Sequence, residues 1–181
     1  MNNYISHHGV MGMHWGIRRY QSYNIGYQPK KGLYITSGTA RKANRIYNTL
    51  SDEEKKLVTA EDNVPKQYTN EQERRSYLAK SFVLQHGHEP ISLFDIWQEG
   101  SGDVAIAIMT KSGEQYRGKG YGAMVVKSGM DWLEQNQSIK NAYWDVKETN
   151  VGSIRLAEKN GFIRISRSDD GWLQYKKQLH V

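Results

Sequence analysis

The residues best suited to chemistry lie in one glycine-rich stretch, QYRGKGYG at positions 115–122. A β-like apolar run, residues 104–109, precedes it, and a helical run, residues 123–133, follows it. A glycine turn between a strand and a helix presents backbone N–H groups and the positive end of the helix dipole, which together bind an anion such as phosphate. Arg117 and Lys119 add positive charge at the rim. The stretch therefore predicts a phosphate-binding turn.

The glycine spacing separates this turn from two other nucleotide-binding motifs. A P-loop has four residues between its glycines, followed by lysine and then serine or threonine, and this stretch has neither feature. A dinucleotide fingerprint has the spacing G-x-G-x-x-G, whereas the spacing here is G-x-G-x-G. The pattern that remains is R-x-x-G-x-G, beginning at Arg117.

A second motif, NVGSIRLAEKNGF at positions 150–162, lies downstream. Asn150 suits a helix N-cap, and Gly161 suits a left-handed helix C-cap. Ile154, Leu156 and Ala157 are predicted to supply the buried face of the helix between them.

The two motifs, in this order with a helix and a strand between them, resemble the GNAT N-acetyltransferases over about residues 77–178. The second motif is similar to that of the ribosomal-protein alanine acetyltransferase branch. The resemblance implies an α+β GNAT fold, with a mixed, mostly antiparallel sheet of six or seven strands flanked by about four helices. It also implies an enzyme that moves an acetyl group from acetyl-CoA to a primary amine on a protein N-terminus, a lysine or a small molecule.

The resemblance assigns roles to particular residues. Backbone groups near Ile108 and Met109 would pair with the pantetheine arm of the coenzyme. The cofactor-binding set is completed by Arg117, Gly118, Lys119, Gly120, Tyr121, Gly122 and Asn150. Many members carry a tyrosine acid where this chain has Ala157, so Ser153, one helical turn earlier, is the candidate thiolate partner; helix capping is the alternative role for Ser153. Asp103 is the candidate base, with a solvated strand-end carboxylate as the alternative.

Hydrophobic periodicity supplies the elements that must position these residues. The predicted strands are 32–37, 77–85, 91–98, 103–110 and 143–146, followed by a closing hairpin of 162–165 and 172–175. The predicted helices are 39–50, 52–59, 123–135 and the segment capped by Asn150 and Gly161. Residues 60–76 are predicted to form a loop, with one possible helical turn at 71–76.

Composition limits the class of protein. The chain has 181 residues, no cysteine and a formal net charge of +6. No apolar run is long enough to span a membrane, and no secretion signal precedes the domain, so a soluble protein of a bacterial cytoplasm is expected. His86 and His88 lie at a predicted hairpin tip without a third ligand, so no metal site is predicted there.

The first part of the chain is a basic arm, residues 1–31, ahead of a predicted GNAT domain, residues 32–181. Residues 1–51 contain seven lysines and arginines and no acid. The arm is rich in glycine, histidine and aromatic residues, and it resembles a leader of tailed-phage structural proteins. That resemblance implies a phage or prophage origin.

Three roles for the arm remain open. Its histidines, His7, His8 and His14, could bind a metal. Its cations and aromatic rings could hold single-stranded nucleic acid. The favoured role is a flexible segment that orders on a protein partner such as a capsid. The alternative to catalysis is therefore a phage structural or host-modifying accessory protein that uses a GNAT scaffold with weak or no catalysis.

Overall fold

The computed structural model describes residues 18–19, 32–58 and 78–180. They form one eight-stranded sheet in the order β1-β2-β3-β4-β5-β6-β8-β7. The strands are β1 (Arg18–Arg19), β2 (Leu33–Ser37), β3 (Leu78–His86), β4 (Glu89–Gln98), β5 (Asp103–Thr110), β6 (Asn141–Lys147), β7 (Ile163–Arg167) and β8 (Trp172–Gln178). The four helices of these residues are α1 (Ala40–Tyr47), α2 (Asp52–Val58), α3 (Tyr121–Gln135) and α4 (Val151–Lys159).

One strand pair in the sheet differs in direction from the rest. Strands β5 and β6 are parallel, and the other neighbouring pairs are antiparallel. Parallel neighbours need a crossover connection, and α3 supplies it. The glycine turn begins this crossover, so it lies at the carboxyl end of β5.

Helices cover both faces of the central strands. On one face, Ile46 of α1 packs with Leu93 and Met109. On the other face, Val125 of α3 packs in the main core with Phe94 and Trp144. Strand β4 lies between these layers, and its residues from Pro90 to Ile96 are all buried. Burial on both faces explains why the alternating pattern expected for this strand is irregular.

Local contacts fix the helices as the sequence predicts. Ser51 and Glu54 form a capping box at α2, with the Glu54 backbone N–H donating to Ser51 Oγ at 3.2 Å. The Asn150 side chain caps α4 by accepting from the Ser153 backbone N–H at 3.2 Å. Gly161 ends α4 with a φ of +80°, the left-handed conformation expected of a C-cap glycine.

The predicted fold class is confirmed. Seven strands have five or more residues, and the two-residue strand β1 was not predicted. It pairs with β2 by placing Arg18 opposite Ile35. The predicted loop at 60–76 and the rest of the basic arm, His7, His8 and His14 included, lie outside the described residues.

Candidate active site

The glycine turn presents bare backbone at the start of α3. Gly118 and Gly120 have φ values of +67° and +80°, a conformation that side-chain-bearing residues rarely adopt. Gly120 is the N-cap residue, and no side chain caps the helix. The first N–H groups of an α-helix have no partner within the helix, so those of α3 are available to a ligand. The first turn of α3 contains no acid, which suits an anion.

The space beside this backbone is open. A Cβ atom built on Gly118 or Gly120 would meet nothing within 4 Å, and residues 117–120 are exposed. A Cβ on Gly122 would lie 3.5 Å from the side chains of Ile108, Thr110 and Leu156. These are ordinary van der Waals distances, and they show that α3 packs against β5 and α4 at Gly122. Exposed N–H groups at an uncapped helix end suit an anion such as a diphosphate.

Strands β5 and β6 separate next to the turn. Their parallel pairing ends at Ile106 and Trp144. Beyond that point β5 stays paired with β4 as far as Thr110, and β6 stays paired with β8 as far as Lys147. The β6-facing backbone groups of residues 107–110 consequently have no pairing strand within the described sheet. Such an edge can pair with an extended ligand, and Ile108 and Met109 lie in it.

The loop that leads into the turn is held by a buried cation. Lys111 is 7% exposed, and its Nζ donates to Glu89. Glu89 also accepts from Arg45 of α1. The hydrogen bond from Lys111 is the largest cause of the lowered pKa of the Glu89 carboxyl, and the charges of Lys111 and Arg45 contribute further. Lys111 Nζ lies 5.6 Å from the ring centroid of Tyr116. These contacts position the loop without using Arg117 or Lys119.

A family profile matches this architecture. The profile of the acetyltransferase (GNAT) family matches residues 43–162, which is more than half of the chain. The chain belongs to the GNAT acetyltransferase family. The predicted family and enzyme class, an N-acetyltransferase, are thereby confirmed. Residues 1–22 match a separate family of unknown function, and no curated protein matches the chain in sequence.

Solved structures of other GNAT proteins share the fold. The ribosomal-protein alanine N-acetyltransferase of Escherichia coli matches with a TM-score of 0.62 at 14% identity, over 82% of this chain and 95% of that one. A ribosomal-protein alanine acetyltransferase of Vibrio fischeri gives 0.61 at 13% identity, over 84% and 96%. The acetyltransferase AAC(6')-Ib, in complex with paromomycin and acetyl-CoA, gives 0.62 at 17% identity, over 82% and 94%.

The predicted cofactor-binding residues of this GNAT domain from Ile108 to Gly122 lie on consecutive parts of the chain. Ile108 and Met109 are in the separated part of β5, and the turn follows that strand after a short loop. Helix α4 begins after Asn150 and contacts β6. It also approaches the turn, because the Leu156 side chain lies 3.5 Å from a Cβ built on Gly122. Ser153 is buried in the first turn of α4, one helical turn before Ala157, which is fully buried.

Asp103 lies at the other end of β5. Thr110 is seven positions further along the strand, which corresponds to about 23 Å in an extended chain. Its Oδ1 accepts a hydrogen bond of 2.8 Å from the Asn141 side chain, at the first parallel pair between β5 and β6. The structure therefore does not bring Asp103 to the turn.

A different aspartate, Asp145, lies beside the opening. It follows Trp144, the last residue of β6 that pairs with β5. Tyr143 pairs with Ala105, so Tyr143 and, two residues later, Asp145 lie on the same sheet face as Ala105 and Met109. This is the face that α1 covers, and α2 contacts both β5 and β6. The sequence signal was available, because Asp145 is an acid between the apolar residues of a predicted strand.

The surroundings of Asp145 disfavour its charge. Asp145 is exposed, but protein atoms around its carboxyl partly desolvate it and raise its pKa; the hydrogen bond with Gln174 of β8 opposes the shift only partly. Two cations on the same face have other partners. Lys147 donates to Asp170, and Lys176 Nζ lies 5.5 Å from the Tyr143 ring centroid. A carboxylate with a raised pKa is a stronger proton acceptor than an ordinary aspartate.

Within the described residues, no helix is long and apolar enough to cross a membrane. The same residues contain no group of three or more histidine and acidic side chains arranged to hold a metal ion.

Proposed function

We propose that this GNAT protein transfers an acetyl group from acetyl-CoA to a primary amine by direct attack of the amine on the thioester. The observation that supports this most strongly is the exposed, uncapped N-terminus of α3 beside the opening between β5 and β6. One feature suits a diphosphate, and the other suits the extended pantetheine arm that follows it. The predicted domain, residues 32–181, would carry the activity.

Backbone groups would hold most of the coenzyme. N–H groups from Gly118 to Gly122 bind the diphosphate, and Arg117 and Lys119 add charge at its edge. Backbone groups of Ile108 and Met109 pair with the pantetheine arm. Asn150 uses its side-chain oxygen to cap α4, and the amide nitrogen of the same side chain provides donors for the arm.

The chemistry requires two proton transfers. An ammonium group must lose a proton before its nitrogen can attack the thioester carbon, and the departing thiolate gains one as the C–S bond breaks. We assign the first transfer to Asp145 rather than Asp103, because Asp145 lies at the strand opening and partial desolvation raises the pKa of its carboxyl. Ser153 remains the candidate donor to the thiolate, since Ala157 cannot serve.

The acceptor class is a primary amine that enters on the α2 face of the opening. Ribosomal-protein alanine acetyltransferases and an aminoglycoside acetyltransferase are among the structural neighbours. A first panel of acceptors is therefore a peptide with N-terminal alanine, a lysine peptide and paromomycin.

Calorimetric titration with acetyl-CoA tests the cofactor site, and absence of binding would reject the proposed function. Turnover is followed as free thiol from coenzyme A, without background from the protein because the chain has no cysteine. Asp145→Asn and Asp103→Asn form a matched pair that removes one strand carboxylate each. A general base contributes roughly 100- to 10,000-fold, so the first variant should lose turnover on that scale while the second retains it. Equal rates would remove Asp145 from the mechanism.

A second candidate function rests on the arm. Residues 1–22 match their own family, separately from the acetyltransferase match. This supports an arm, residues 1–31, that acts as a module of its own, although β1 within it pairs with β2. In this alternative, the protein is a phage or prophage accessory protein that docks through the arm to a structural protein or a nucleic acid. Acetyl-CoA binding without turnover across the amine panel would favour it.

A further inference from the structure

An ion pair links the glycine turn to α2. Arg117 Nη2 donates to Glu54 Oε1 at 2.8 Å. The other oxygen of the same carboxylate, Oε2, accepts from the Ser51 backbone N–H at 2.9 Å. Glu54 is thus held at both oxygens, by the helix cap on one side and by the turn on the other.

The environment of Glu54 keeps it ionised. Burial works to raise the pKa of its carboxyl, but the hydrogen bonds from Ser51 and Ser112 and the charge of Arg117 outweigh burial, so the pKa lies below its usual range. The pair is partly shielded from solvent, with 27% of the Glu54 side chain and 46% of the Arg117 side chain exposed. Arg117 therefore faces a charged and fixed carboxylate.

Arg117 is also the cation that opens the R-x-x-G-x-G motif. A guanidinium binds carboxylates and phosphates through the same N–H fork. A diphosphate on the turn would be a second anion at this guanidinium, beside the carboxylate of Glu54. The two anions compete for the same donors and repel each other.

Helix α2 occupies a position from which it can respond to this competition. It contacts both β5 and β6, the strands that separate to form the opening. A second hydrogen bond joins the loop before the turn to the segment between α1 and α2. The Ser112 backbone N–H donates to Thr49 Oγ1, which lies in that segment, at 3.1 Å. Any weakening of the Glu54–Arg117 pair therefore acts on a helix next to the opening.

We propose that Glu54 is a positioning residue that limits the affinity of the turn for coenzyme A by binding Arg117. In this proposal, coenzyme binding weakens the Glu54–Arg117 ion pair and thereby loosens α2. The inference rests on the proposed function, since it requires the diphosphate at the turn. Linkage makes the effect reciprocal: the factor by which Glu54 weakens coenzyme binding equals the factor by which the coenzyme weakens the Glu54–Arg117 contact.

The test is the affinity of the full chain for coenzyme A, measured by calorimetry in Glu54→Gln. Glutamine retains an oxygen for the Ser51 N–H, as in other capping boxes, so α2 keeps its cap. Loss of a partly exposed ion pair should tighten the dissociation constant about two- to fivefold. The matched control is Glu53→Gln, which removes the same charge from the first turn of α2 without touching Arg117, and its constant should change less.

Two further measurements define the mechanism. In an Arg117→Gln background, Glu54→Gln should no longer tighten coenzyme binding beyond the effect of the Glu53 control. Hydrogen exchange of α2 should accelerate when coenzyme A is added to the wild type, and this response should be lost in Glu54→Gln.

The outcomes separate the two proposals. Wild-type protein that does not bind coenzyme A would reject the proposed function itself. Wild-type binding with an unchanged or weaker constant in Glu54→Gln would overturn the role of Glu54 and leave the acetyltransferase assignment intact. Equal tightening in the Glu53 and Glu54 variants would also overturn it, because general charge repulsion would then suffice.

Discussion

Replacing Gly120 by alanine tests whether the turn depends on a backbone conformation that only glycine adopts easily. Gly120 has a φ of +80°. Holding an alanine in the left-handed region disfavours the fold by roughly 1–2 kcal/mol. The new Cβ would meet no atom within 4 Å, so neither a clash nor a new contact should alter that figure. The melting temperature of a domain of this size should fall by about 2–8 °C.

Gly122→Ala is the matched control in the same turn. It is not among the glycines with positive φ, and its Cβ would make ordinary contacts at 3.5 Å. Alanine is also the better helix former by about 0.8–1.0 kcal/mol at interior positions. The control should therefore be as stable as the wild type or slightly more stable. Thermal unfolding of both variants measures the difference between them, and equal destabilisation would refute the conformational argument.

Two other predictions concern carboxylates. Glu89→Gln should lower stability at neutral pH, because the pKa of the Glu89 carboxyl is lower in the folded than in the unfolded protein. Such a group stabilises the fold at pH values above its unfolded-state pKa, and this contribution is lost as the pH falls through its folded-state pKa. Denaturant unfolding should therefore show that the stability difference between variant and wild type disappears in acid. Asp145→Asn should raise stability, because a raised folded-state pKa penalises the charged form as pH rises through it. Its gain should vanish below about pH 3.9, the ordinary aspartate value, and a gain that persists there would point to another cause.

Much of the cofactor side was predictable from sequence because its determinants are local. Gly118, Gly120 and Gly161 occupy backbone conformations that favour glycine, so a glycine in a strand–turn–helix pattern signals its own structure. Strand β5 has the predicted bounds, Asp103–Thr110. The capping box at Ser51 and the cap at Asn150 are contacts between residues three apart. Such contacts can be read along the chain without knowing the fold.

The acceptor side was not predictable in the same way. Asp103 and Asp145 are both acids in predicted strands, and position along the chain does not say which end of the sheet each one reaches. The parallel register between β5 and β6 decides that question. Asp103 belongs to the first residue pair of the two strands, and Asp145 directly follows the last pair. Strand β4 also differed from the expected alternation because α1 and α3 cover opposite faces of the sheet.

The sequence by itself therefore determined the order of elements and the glycine turn, since each depends on the conformational preferences of residues close together in the chain, and its two motifs indicated the family by resemblance. The tertiary structure alone decided where β5 and β6 part, which carboxylate lies beside that opening and that Glu54 contacts Arg117. Those features join segments up to 63 residues apart, and they depend on strand register and helix packing, which no local pattern encodes.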